Sequence, residues 1–138
     1  MNLILRNILA VLLGIVIGTV INGWIISISG SIIPPPEGTD LTTTEGLQAA
    51  LPLMEPKHFI MPFLAHGLGA LLGAFMCATI AATHKMKFAM SIGCLFLLGG
   101  IAAASFIPAP TWFVVTDLVL AYIPMAWLGG KMASSSKS

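Results

Sequence analysis

The stretch at residues 8–28 reads ILAVLLGIVIGTVINGWIISI and contains no charged side chain. A helix needs about 20 such residues to cross the hydrocarbon core of a bilayer. Three more long apolar runs follow, at residues 59–82, 88–107 and 111–128, the last interrupted by one acid, Asp117. None alternates apolar and polar residues as the strands of a membrane barrel do. In lipid the backbone must then satisfy itself within each run, which leaves helix. The whole chain is consistent with this: of 138 residues, 57% are hydrophobic and 8% charged. A soluble domain carries about 25% charged residues, so these charges are too few to cover a water-facing surface.

The sequence therefore predicts an all-α membrane protein. Residues 1–133 form one antiparallel bundle of four transmembrane helices, with a longer outer loop at 31–57 and a disordered tail at 134–138. The first run exceeds the apolar core of about 7–15 residues of a signal peptide, so it reads as a retained anchor.

Orientation follows from the cations. Arg6, Lys85, Lys87, Lys131 and Lys137 fall on one side of an even number of crossings. Lys57 stands on the other with Glu37, Asp40, Glu45 and Glu55. The excess of positive charge marks the cytoplasmic side, which places both termini inside and the chain in a bacterial inner (plasma) membrane. Trp24 and Trp112 then lie near the outer interface and Trp127 near the inner one. A formal net charge of +1 without a basic patch excludes a nucleic-acid partner. The expected partners are membrane lipid and further copies of the chain.

Within the outer loop, Pro34-Pro35-Pro36 is stiff and extended. Thr42 and Glu45 have capping-box spacing. Leu47, Leu51 and Met54 follow at roughly helical spacing and predict a short amphipathic helix on the outer surface. Pro108-Ala109-Pro110 predicts a tight turn. Cys77 and Cys94 lie inside apolar runs and read as small packing residues.

Helices in lipid associate through small residues that let backbones approach. Gly14 and Gly18 supply such a face on the first helix, Gly69 and Gly73 on the second, and Gly99 and Gly100 on the third. Pro62 and Pro124 predict kinks in the second and fourth helices, freeing the carbonyls of His58 and Leu120.

Three side chains stand out as foreign to hydrocarbon: Asn22, His66 and Asp117. Each lies six or seven residues from the outer end of its predicted span, about 9–10 Å deep at 1.5 Å per residue. Pairing with His66 lowers the cost of holding Asp117 in the membrane and fixes the ring tautomer. Asn22 is expected to donate to the carboxylate and accept from the ring. The trio reads as a site for a proton, an ion or a small solute, with the outer loop as a partial lid.

His58 with Glu55 or Asp40 is the nearest approach to an outer metal set, and it falls short of the required ligands. No metal or cofactor is assigned. Ser27, Ser29, Ser91 and Ser105 lack a nucleophile elbow, and no HExxH, P-loop, CxxC or dinucleotide motif occurs, so no enzyme activity is expected. The functional expectation is a transporter or channel subunit. The alternative is a non-transporting assembly subunit in which the trio only orders the helices. An intramembrane enzyme acting on a lipid or quinone would need a lipid-accessible groove ending at His66.

Overall fold

The computed structural model describes residues 1–136. Its helices are α1 (Leu3–Ile32), α2 (Thr44–Ala50), α3 (Ile60–Ile80), α4 (Lys85–Phe106), α5 (Thr111–Leu120) and α6 (Ile123–Ser135). Two short 3-10 turns, Leu51–Leu53 and Pro56–Phe59, lie between α2 and α3. No strand occurs among the described residues. Four helical stretches are long and apolar enough to cross a membrane: Leu3–Ile32, Pro56–Ile80, Lys85–Phe106 and Thr111–Ser135.

The first helix overruns its apolar core at both ends. The Asn2 side chain accepts from the Ile4 amide at 2.9 Å and starts it. It stops at Ile33, which is extended (φ −126°, ψ 93°) because a residue before proline is driven out of the helical region. Between these limits the polar residues find local partners, as when the Ser29 hydroxyl donates to the Ile26 carbonyl at 2.7 Å.

The prolines act differently from expectation. Pro62 does not kink its helix. It occupies the first turn of α3, where an amide has no intrahelical acceptor, and α3 runs unbroken. Pro124 likewise sits in the first turn of α6, but there the span divides. Helix α5 ends at Leu120 and α6 begins at Ile123, with Tyr122 at φ −112° and ψ −72° between them. The expected disordered tail does not begin at Ser134. Ser134 and Ser135 are helical, their hydroxyls donating to the Gly130 and Lys131 carbonyls at 3.0 and 3.1 Å. Lys137 and Ser138 fall outside the described residues.

Helix α3 is the centre of the packing, with α1 on one side and α6 and α4 on the other. Its buried face is made of small residues, including Ala65, Ala70, Ala74, Cys77 and Ala78 at 0% exposure. A Cβ placed on Gly73 would stand 2.7 Å from the Gly14 carbonyl oxygen, and one on Gly69 would stand 2.8 Å from that of Gly18. The α1–α3 seam is thus backbone against backbone. Gly129 of α6 meets the Leu71 carbonyl of α3 in the same way. Gly99 and Gly100 are not packing glycines of this kind: nothing lies within 4 Å of a Cβ at Gly99, and Gly100 lies under the Tyr122 ring. Cys77 is buried in the core, whereas Cys94 is exposed on α4 and packs against nothing central.

The long connection folds onto the bundle. Its helix is capped by Thr43, whose side chain accepts from Gly46, and not by Thr42. Thr42 instead donates its hydroxyl and its amide to Asp40 at 2.6 and 2.9 Å, holding that carboxyl below its ordinary pKa. Leu51 joins Phe59 and Phe113, with Leu47, Met54, Ile107 and Ala109 around them. The apolar side of this segment therefore covers the ends of α3 and α5. Gln48 Nε2 tethers it to the Phe106 carbonyl at 3.1 Å.

At the opposite end, Arg6 Nε donates to the Ile80 carbonyl at 2.6 Å, placing a cation on the C-terminus of α3. Asn7 Oδ1 accepts from the Ala82 and Thr83 amides at 2.8 and 3.4 Å, and its Nδ2 donates to Thr83 Oγ1 at 2.9 Å. This clasp holds the turn into α4, where His84 takes a left-handed conformation (φ 42°). Replacing Asn7 with Ala strands the Ala82 amide, at a cost of about 1–3 kcal/mol. Thermal unfolding of the purified protein is expected to show that loss. Asn7→Asp keeps the acceptor and should lose less.

Candidate functional site

His66 projects from α3 and Asp117 from α5. His66 Nδ1 lies 2.8 and 2.9 Å from the two Asp117 carboxylate oxygens. The Tyr122 hydroxyl donates to Asp117 Oδ2 at 3.1 Å. On a regular helix, residues five apart point about 140° away from one another. Only the break at Ala121 and Tyr122 turns the tyrosine back onto the carboxylate. Its ring also lies against His66, with centroids 5.7 Å apart and planes 24° from parallel.

The cluster is graded in exposure. The Asp117 side chain is 7% exposed and that of His66 27%. An ionised carboxylate can only accept, so Nδ1 carries its hydrogen and the lone pair of the neutral ring resides on Nε2. Among the described residues no hydrogen bond engages Nε2, and the ring borders open space on two sides.

The larger space is a cavity of about 290 Å³ between α1, α3 and α4. It is lined by His66, Asn22 and Tyr122 and by Gly18, Gly69 and Phe96. Helix α1 touches α4 only lightly, at Gly14 against Ile92 and Gly18 against Phe96. Beyond these contacts the cavity opens sideways past Thr19, Leu95, Gly99 and Ala103, all of them exposed. The smaller space, about 80 Å³, lies on the far side of His66 and Tyr122. It reaches Asp117 and is bordered by Ile107, Ala109 and Phe113, residues on which the long connection packs.

Asn22 does not join the cluster as expected. It bonds neither the carboxylate nor the ring, and its buried Oδ1 has no hydrogen-bond partner. It lines the cavity opposite His66 instead. Tyr122 was absent from the sequence reading. Its signal is that it is the chain's single tyrosine and stands two residues before Pro124, in a span that already holds an acid.

His58 and Glu55 do not form a metal set. His58 Nδ1 accepts from the Glu55 amide at 2.9 Å, and Nε2 donates to the Pro34 carbonyl at 3.1 Å, so both ring nitrogens are engaged. Glu55 pairs with Lys57 at 3.5 Å on the surface, and Asp40 is held by Thr42. Among the described residues no three His, Cys, Asp or Glu side chains converge as metal ligands.

A scan of protein-family models, a search of curated proteins and a search of solved structures each found no match to this chain. Its function is therefore argued from its own residues.

Proposed function

We propose that this is a multi-pass protein of the bacterial inner membrane that serves as a transporter or channel subunit for a proton, small ion or small solute. The four spans run antiparallel in this reading, with both termini cytoplasmic. Support comes from the charges: Arg6 binds the end of α3 near the start of α4, which carries Lys85 and Lys87, while Glu37, Asp40, Glu45 and Glu55 lie at the other end. The exposed apolar face of α1, with Leu5, Leu12, Val16 and Val20, suits lipid or a second copy of the chain.

The observation that carries the functional reading is a carboxylate held by His66 and Tyr122, side chains that themselves border both cavities. An ionised Asp in mid-span costs about 2.5–3.5 kcal/mol on insertion scales. A cluster that only ordered the helices would be closed and fully bonded, since buried polar groups are normally paired. Here Asn22 Oδ1 is unpaired and the His66 ring faces open space. That arrangement favours a binding site over a purely structural knot. The packed connection over Ile107, Ala109 and Phe113 acts as the partial lid at the Asp117 side.

The sideways opening between α1 and α4 favours one refinement, access from the bilayer itself. It lends the intramembrane-enzyme alternative a route of entry, although no activated nucleophile lines the groove among the described residues.

The test is a proton-flux assay on protein reconstituted in vesicles with a pH-sensitive dye inside. An imposed pH gradient should dissipate faster than in protein-free vesicles, and His66→Ala should return the rate to that background. Wild-type vesicles indistinguishable from protein-free ones would remove the transport reading.

A further inference from the structure

Resting on that reading, we propose that the cavity beside His66 takes a small amphipathic primary ammonium ion, and that it does so in exchange for a proton.

The first ground is a count of charge. The titratable groups facing His66 are Asp117 from α5 and Tyr122 from the break between α5 and α6. Helix α1 brings Thr19 and Asn22 to the cavity, and α4 brings Leu95, Phe96, glycines and Ala103, none of which titrates. With His66 neutral the site carries the single negative charge of Asp117. With His66 protonated it is neutral. An uncompensated charge in apolar surroundings is costly. One positive charge at a time is therefore favoured, either a proton on Nε2 or a cation in the cavity.

The second ground is the set of acceptors. With Nδ1–H turned to Asp117, the neutral ring presents a lone pair at Nε2. Asn22 lines the same cavity, and a half-turn of its amide about the last side-chain bond brings the buried, unpartnered Oδ1 to that lining as a second acceptor. Two acceptors beside a net negative charge call for a cation with several N–H donors. A hard metal cation prefers a shell of six or so oxygens, which this wall does not offer. Protonation converts Nε2 from acceptor to donor and removes the negative balance together, so proton and ammonium ion exclude each other. One proton leaves Nε2 for each cation bound.

The third ground is the rest of the lining. The cavity of about 290 Å³ far exceeds what an ammonium head requires. Its remaining walls, Leu95, Phe96 and Ala103, suit an apolar body of several carbons. The mouth lies between α1 and α4 among residues exposed on the apolar flank of the bundle, which suits a molecule that partitions into lipid.

Butylammonium and tetramethylammonium serve as probes, carrying equal charge with and without N–H donors. Calorimetric titration of the detergent-solubilised protein, in two buffers of different ionisation enthalpy, reads both binding and proton release. Butylammonium should bind with close to one proton released at acidic pH, its affinity rising about tenfold per pH unit there. Tetramethylammonium should bind at least tenfold more weakly. Asn22→Leu should weaken butylammonium at least tenfold and leave tetramethylammonium unchanged, and Asn22→Asp should tighten butylammonium. Gel filtration checks that each variant is folded. Equal binding of the two probes, binding without proton release, or an Asn22→Leu variant that binds butylammonium like the wild type would each overturn the exchange. If proton flux in vesicles persists while butylammonium neither binds nor competes, this ligand assignment fails and the proton-site reading stands. If there is no flux, the underlying reading falls as well.

Discussion

Asp117→Asn is expected to reduce proton flux to the protein-free background while the bundle stays assembled. The carboxylate accepts from His66 Nδ1 at 2.8 and 2.9 Å and from the Tyr122 hydroxyl at 3.1 Å. Asparagine has nearly the same shape and keeps one acceptor oxygen, so the helices need not move. What disappears is the charge. A proton on Nε2 would then leave an unpaired imidazolium among apolar side chains. Stripping one partner from a buried ion pair costs about 3–5 kcal/mol. At 1.4 kcal/mol per decade, occupancy of the protonated form should fall by two to three orders of magnitude.

Stability should move much less and in either direction, because the substitution also removes the cost of an ion within the span. Flux and thermal unfolding measured on the same preparation separate the two effects. Tyr122→Phe removes a single neutral donor and should slow flux far less. Wild-type flux in the Asp117→Asn protein would mean that the cluster only orders helices.

Gly73→Leu is expected to detach α1 from the rest of the bundle. A Cβ at this position would lie 2.7 Å from the Gly14 carbonyl oxygen and 3.3 Å from the Gly18 Cα. Both are backbone atoms of the facing helix, with no flexible side chain to swing aside. Even alanine forces the helices apart, and overpacking of this kind costs about 1–3 kcal/mol before the larger leucine is counted. Beyond the clasp at Arg6 and Asn7, α1 is held mainly along this seam, where its buried residues are Ala10, Gly14, Gly18 and Ile25.

The protein supplies its own reporter. Cys77 is fully buried and its Cβ faces Gly14 across the seam, while Cys94 is exposed. In the wild type a maleimide should label Cys94 alone. In Gly73→Leu it should label both, and the unfolding midpoint should drop by about 10 °C or more, given a few degrees per kcal/mol in a chain of this size. Gly99→Ala is the control. With open space around its Cβ it should leave labelling unchanged, and it gains up to about 1 kcal/mol of helix propensity.

Much of the helical architecture was legible because composition alone decides it. Four long apolar runs leave few other structures to form, and α1, α3 and α4 are built on them. The ends were not legible in the same way. A helix stops where caps and prolines stop it, and Arg6 or Ser29 can continue it once they have partners. The fourth span divided where a smooth kink was expected, because Pro124 heads a new helix and Tyr122 leaves the regular path.

The site was legible in part. Depth along the spans put His66 and Asp117 at one level, and they meet. Depth carries no information about direction around a helix axis, so it also placed Asn22 within reach of both, which it is not. Tyr122 lies five residues from Asp117, a spacing that brings nothing together until the helix breaks. The clasp of Arg6 and Asn7 on the far turn was invisible for another reason: its acceptors and donors are largely main-chain groups of Ile80, Ala82 and Thr83, which leave no mark in a sequence.

That clasp bears on how the chain is made. Arg6 and Asn7 are synthesised ahead of the first span, yet the groups they grip at residues 80–83 appear only after a second span has been made. That segment must wait, unfastened, until its hairpin partner is complete. A nascent chain halted short of Thr83 has nothing with which to lock it.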